Sequence, residues 1–180
     1  MKVLSYLLAL FMAGCVLWVP VSGKYVSADD AFEVDLPAGW RRAYSTRNGL
    51  TITRDGLSLQ VMRVVREPFD TDLPYTKRKL EKEMFPQEIA EVIIDNLRSN
   101  QNTSNFQLHT NQPARVGGYP GFKLTFSYQT KENLKKEGVY YGVLVDQWYY
   151  RLVLEAPSRH YFPRDQAVLE RVQESFKITL

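Results

Sequence analysis

A chain of 180 residues, 44% hydrophobic and 24% charged, is ordinary globular material sized for one domain behind a leader. Its net charge of +3, or +2 once a leader carrying Lys2 is removed, is too small to argue for a nucleic-acid partner. One cysteine and two histidines exclude a disulfide framework and a thiolate zinc site, and leave histidine chemistry thinly supplied.

Met1-Lys2 is a minimal positive start, and residues 3–13 form an apolar stretch of signal-peptide length. The stretch ends in Phe11-Met12-Ala13-Gly14-Cys15. Small residues before a cut let an extended backbone enter a narrow protease cleft, and a cysteine after it supplies a thiol for acylation. This resembles a bacterial lipobox, with Met12 where leucine is usual. It predicts a lipoprotein signal peptide and tether over residues 1–23, cleaved before Cys15, and a single domain over 24–180. Cys15 would then carry diacylglycerol and palmitate. The following Val16-Leu17-Trp18-Val19-Pro20-Val21 is apolar where a polar tether is usual, which leaves two other readings open. Signal peptidase could cut after Gly23, or residues 3–21 could stay as an uncleaved span. The lipoprotein ranks first because the chain's one cysteine stands where a lipobox requires it. Val16 instead of Asp after Cys15 points to the outer membrane in a double-membrane host.

The body starts near Lys24. Residues 31–36 alternate with period two, a half-buried strand that Pro37-Ala38-Gly39 ends and Trp40 follows. Asn48-Gly49 and Asp55-Gly56 predict tight hairpins, because both central residues of such turns need positive φ. They join strands 43–47, 50–54 and 57–65. In the last, Leu57, Leu59, Val61 and Val65 share one face with Arg63, while Ser58, Gln60, Met62 and Val64 share the other. Arg63 is placed near the strand end with its stem along apolar surface. The mixed-sign run 77–83 reads as a solvated helix face in preference to a patch for acidic headgroups. Pro86 opens a helix to about Ser99, with Ile89, Ala90, Ile93, Ile94 and Leu97 as its apolar stripe.

Residues 106–116 form a further strand, broken by Pro113, with His109 at the surface. Next, Phe122, Leu124, Phe126 and Tyr128 point one way and Lys123, Thr125, Ser127 and Gln129 the other, a dry and a wet face of an antiparallel sheet. After a charged excursion at 131–136 the strand resumes from Glu137 and turns at Asp146-Gln147. It returns with Trp148, Tyr150, Leu152 and Leu154 facing in and Tyr149, Arg151, Val153 and Glu155 facing out. Pro157 ends it, and Pro163 starts a last helix with Leu169, Val172 and Phe176 at helical spacing. Many antiparallel strands with two helices make the class α+β.

No phosphate loop, His-Glu-x-x-His or Gly-x-Ser-x-Gly occurs, so no catalytic residue, metal ligand or cofactor is expected. His160 reads as a capping or packing residue, and Asp29-Asp30 as a solvated turn in preference to a cation ligand. The densest aromatic cluster is Tyr140, Tyr141, Trp148, Tyr149 and Tyr150. Its outward set, Tyr140 and Tyr149 with Arg151, is the candidate binding face unless a helix covers it, since tyrosine and arginine combine contact area with hydrogen bonding.

The run Phe32-Glu33-Val34-Asp35-Leu36-Pro37-Ala38-Gly39-Trp40, with Gly118-Tyr119-Pro120-Gly121 before a strand and the closing Glu174-Ser175-Phe176-Lys177-Ile178, resembles the PsbP-like superfamily. That superfamily includes small bacterial lipoproteins of the DcrB type. The resemblance covers most of residues 31–178 and implies a central antiparallel sheet flanked by helices, an α/β/α sandwich. It also implies a non-enzymatic accessory or binding role, with no catalytic or metal position to carry over. The expected protein is therefore a membrane-anchored envelope lipoprotein facing the periplasm, an accessory module for an envelope partner. A small-ligand or cation-binding periplasmic protein is the alternative.

Overall fold

Alternating apolar residues along most of the chain pair into one antiparallel sheet, drawn here from a computed structural model that describes residues 19–46 and 48–179. The expected cleavage site and Cys15 lie outside the described residues. In chain order the elements are β1 (Val19–Val26), β2 (Phe32–Thr46), β3 (Gly49–Thr53), β4 (Val61–Pro68), α1 (Pro86–Arg98) and β5 (Thr103–Val116). They continue with β6 (Tyr119–Thr130), β7 (Lys135–Val145), β8 (Trp148–Pro157), α2 (Tyr161–Ser175) and a short β9 (Lys177–Ile178). The sheet runs β1-β2-β3-β4-β8-β7-β6-β5, and β9 pairs with the start of β2. The two meanders meet where β4 pairs with β8, from Val61 opposite Glu155 to Pro68 opposite Trp148. This is an α+β fold, as expected. No helix among the described residues is long and apolar enough to cross a membrane.

Successive residues of a strand point to opposite faces, and here they feed two separate cores. Tyr140, Tyr149 and Val153 pack with Phe122, Leu124 and Phe126 and with the α1 residues Ile89, Ile93 and Ile94. Their chain neighbours Tyr141, Tyr150 and Leu152 pack instead with Leu169 and Val172 of α2 and with Phe32, Val34 and Trp40 of β2. The α1 stripe is as predicted. Phe85 caps the helix only through its backbone N–H, donated to the Glu88 carboxylate at 2.7 Å.

Several expectations are corrected by register and edges. Pro37-Ala38-Gly39 does not end a strand: β2 continues to Thr46, because the three residues form a bulge between Trp40 opposite Val21 and Leu36 opposite Gly23. Gly39 and Gly23 take φ of +81° and +71° there, which a side chain would resist. Val19, Pro20 and Val21, inside the stretch assigned to a tether, already belong to the sheet, paired with Arg42, Arg41 and Trp40. The first hairpin forms, but Gly49 pairs with Thr46 and so belongs to β3 and not to the turn.

The second hairpin is wider than predicted. Residues 54–60 are a loop that leaves Leu57 exposed, and β4 starts only at Val61. The alternation holds, and it is the face of Met62 and Val64 that meets the main core. Arg63 sits mid-strand and donates to Glu155 at 2.8 Å. Residues 69–85 contain no helix: Lys77 has positive φ, Leu73 and Leu80 are buried anchors, and the buried Asn96 of α1 accepts the N–H groups of Tyr75 and Thr76. Pro113 does not break β5, which tolerates it as an edge strand.

Candidate functional site

Helix α1 and the 69–85 segment cover Tyr140 and Tyr149, so the proposed binding face is corrected to core: the two residues are 4% and 1% exposed. The Tyr149 hydroxyl donates to that of Tyr140 at 2.9 Å, and the Tyr140 ring stacks on Phe122 at 6.0 Å. Burial pushes both phenols up in pKa. Arg151 is partly buried and donates to Glu67 at 2.7 Å across the sheet. Tyr149→Phe should cost about 1 kcal/mol in a urea titration, the net value of one such hydrogen bond.

A groove opens beside this cluster, where the first turn of α1 passes over the sheet. One hollow of about 420 Å³ lies between Pro86 and Gln87 of α1 and Pro113, Arg115 and Phe122 of β5 and β6. A second, of about 290 Å³, shares Pro86, Pro120 and Phe122 and continues towards Met84, Ile89 and Leu144. Small-molecule sites span roughly 300–1,000 Å³ and are mostly apolar with a few polar groups, a description that fits the pair. Phe85, which precedes Pro86 in the chain, is 71% exposed. The sequence cue was available in Gly118-Tyr119-Pro120-Gly121, but spacing alone does not show that α1 starts above it.

On the other core, the Asp29-Asp30 turn is mainly structural. Asp29 accepts the Ser27 hydroxyl at 2.7 Å, faces the Ala31 N–H at 3.4 Å and pairs with Arg66. The Arg66 guanidinium lies 3.7 Å over the Trp148 ring, and its buried Nε has no partner among the described residues. An open hollow of about 620 Å³ runs over Asp30, Asp146, Trp148 and Tyr150. Among the described residues no three His, Cys, Asp or Glu side chains are placed to hold a metal ion.

Burial pushes the Asp29 carboxyl up, but the Ser27 hydroxyl, the Arg66 guanidinium and the Ala31 N–H outweigh it, so the net direction is down. A carboxyl lowered by folding stabilises the protein above its unfolded pKa, near 4, and loses that contribution as pH falls through the folded value. Asp29→Asn should therefore flatten the decline of stability below about pH 4. Urea midpoints taken down the acid limb read this directly, and equal slopes in variant and parent would refute it.

His109 is exposed on β5, as expected. His160 precedes α2 without a side-chain capping bond and packs edge-on against Tyr161 at 5.1 Å, so of its two expected roles it has the second. Sequence reasoning missed the buried Asp165, which accepts from Arg164 at 2.6 and 2.9 Å and from Gln60 at 3.2 Å. Arg164 and Gln60 also hold Asp55, at 2.5 and 2.8 Å, tying the 54–60 loop to α2. These residues lie far apart in the chain and carry no spacing signal.

The fold is shared with proteins of very different sequence. The solution structure of cyanobacterial PsbP (CyanoP) from Synechocystis sp. PCC 6803 is 13% identical, covers 94% of this chain and 99% of its own, and superposes with a TM-score of 0.61. LpqN, involved in cell envelope biogenesis of Mycobacterium tuberculosis, is 15% identical over 87% of this chain and 90% of its own, TM-score 0.58. The Saccharomyces cerevisiae Ran-binding protein Mog1p is 8% identical over 88% and 96%, TM-score 0.56. At such identities the likeness speaks for the fold alone. No curated protein matches in sequence. The PsbP family profile, however, matches residues 22–178, nearly the whole described body, and this chain belongs to the PsbP family.

Proposed function

We propose that this protein is a non-enzymatic accessory lipoprotein of the cell envelope, an α/β/α sandwich held at a membrane through acylated Cys15 and facing the periplasm. In a double-membrane host its place would be the outer membrane. The observation that carries the reading is the start of β1 at Val19. Cleavage after Gly23 would strip away residues 19–23, which pair with β2. A membrane span ending before β1 would have to fit into residues 3–18, shorter than the roughly 20 residues a bilayer needs. Cleavage before Cys15 leaves β1 whole. LpqN's link to cell envelope biogenesis is compatible with an envelope role.

The intact mass of the detergent-extracted mature protein tests the reading. A chain starting at Cys15 with acyl chains added supports it, and an unmodified chain starting at Lys24 overturns it. The groove under the first turn of α1 favours a second reading, a carrier of small apolar ligands. It predicts a ligand-dependent rise in melting temperature, and a metabolite screen without any rise would count against it.

A further inference from the structure

We infer that the near half of the β1–β2 ribbon, with Arg41, Arg42 and Arg54, is a docking surface for anionic phospholipid headgroups. The inference rests on the lipoprotein reading for the direction from which the membrane approaches. Three residues, Val16-Leu17-Trp18, separate Cys15 from β1, and aliphatic residues with a tryptophan suit the membrane interface. Four residue steps from an acylated Cys15 reach at most about 14 Å, so β1 starts close to the lipid surface.

What lies at that start is positive. Val19 pairs with Arg42 and Pro20 with Arg41, and neither arginine meets a carboxylate among the described residues. Arg41 also pairs with Thr53, which brings it beside Arg54 around a hollow of about 320 Å³. Asp55, the one acidic group in that lining, is engaged by Arg164 and Gln60. Arg54 keeps an exposed side chain, 3.7 Å from the buried Asp165. Residues 40–55 hold four arginines and a single acid.

Beyond the bulge the ribbon changes character. Lys24 faces Asp35 in the register, and Glu33 is paired with Lys24 at 2.5 Å and Lys177 at 3.5 Å. Charge is thus segregated along one ribbon, positive at the anchored end and balanced at the far end. An anionic leaflet attracts such a cluster, and the attraction fades within a Debye length of about 8 Å at physiological salt. A short tether and a basic root belong together for that reason.

Arginine footprinting with phenylglyoxal on the lipidated protein in vesicles reads the contact. In vesicles containing phosphatidylglycerol, Arg41 and Arg42 should be modified several-fold more slowly than in pure phosphatidylcholine. The exposed Arg98 and Arg159 should not change, and high salt should erase the difference. Equal modification in both vesicles, with the acylated mass intact, overturns the surface and leaves the lipoprotein reading standing. If the mature protein is unacylated, co-sedimentation with the same vesicles tests the surface alone. Salt-sensitive binding that weakens about fivefold with each of Arg41→Ser and Arg42→Ser supports it. Absence of binding overturns it.

Discussion

Replacing Arg164 by alanine should lower the unfolding free energy by about 3 kcal/mol, at the low end of what breaking a buried ion pair costs. Asp165 is fully buried in the first turns of α2, and Arg164 grips both of its oxygens, Nε to one and Nη2 to the other. Two parallel charge-assisted bonds of this kind are the strong ones. Hydrogen bonding to Asp165, reinforced by Asp55, pushes the Arg164 pKa up further. Without the guanidinium, Asp165 keeps only the Gln60 amide at 3.2 Å and Arg54 at 3.7 Å. The 54–60 loop would lose the Arg164–Asp55 part of its tie to α2 in the same step. For a domain of this size the loss corresponds to a fall in melting temperature of about 6–12 °C.

A double variant separates the buried charge from mere truncation. In Arg164→Ala with Asp165→Asn the orphan carboxylate is gone, so part of the lost stability should return. A single variant within about 1 kcal/mol of the parent, or a double variant no better than the single, would refute the account.

The contrast between these residues and the strands shows what the sequence carries. Phe122 to Gln129 reads directly as a two-faced strand, because each residue's environment repeats every second position. The α1 stripe reads equally well, since Pro86 marks its start. Local turn chemistry is less reliable: Asp55-Gly56 suggests a tight hairpin, yet Gln60 is drawn into the Asp55–Asp165 network and delays β4 to Val61. Only contacts 105 residues apart in the chain explain that late start. The proposed Tyr140–Tyr149–Arg151 face failed for a similar reason. Periodicity shows that the rings point away from α2, but not that α1 waits on that side. The groove and the arginine ribbon were equally invisible, for both arise where segments distant in sequence meet.

Gly142→Val should cost about 3 kcal/mol, although valine is the better strand former. A Cβ at position 142 would stand 2.4 Å from Cζ of Phe122 and 2.5 Å from the Tyr149 hydroxyl. Phe122 lies directly across the strand pair from Gly142, its ring filling the space the missing side chain leaves. Gly138 repeats the device four residues earlier, where a Cβ would meet the Phe126 ring at 2.3 Å. Neither ring can swing clear: Phe122 stacks on Tyr140, and Phe126 lies between Phe106 and Tyr128. Removing a glycine also narrows the unfolded ensemble, which stabilises by about 0.4–1 kcal/mol. Overpacking of about 1–3 kcal/mol, together with the Tyr149–Tyr140 hydrogen bond at about 1 kcal/mol, exceeds that gain. Gly142→Ala should fall between parent and valine variant. In a Phe122→Leu background the ring is absent, so Gly142→Val should cost clearly less than in the parent. Strictly additive costs in that double-mutant cycle would mean that the glycine serves something other than its cross-strand phenylalanine.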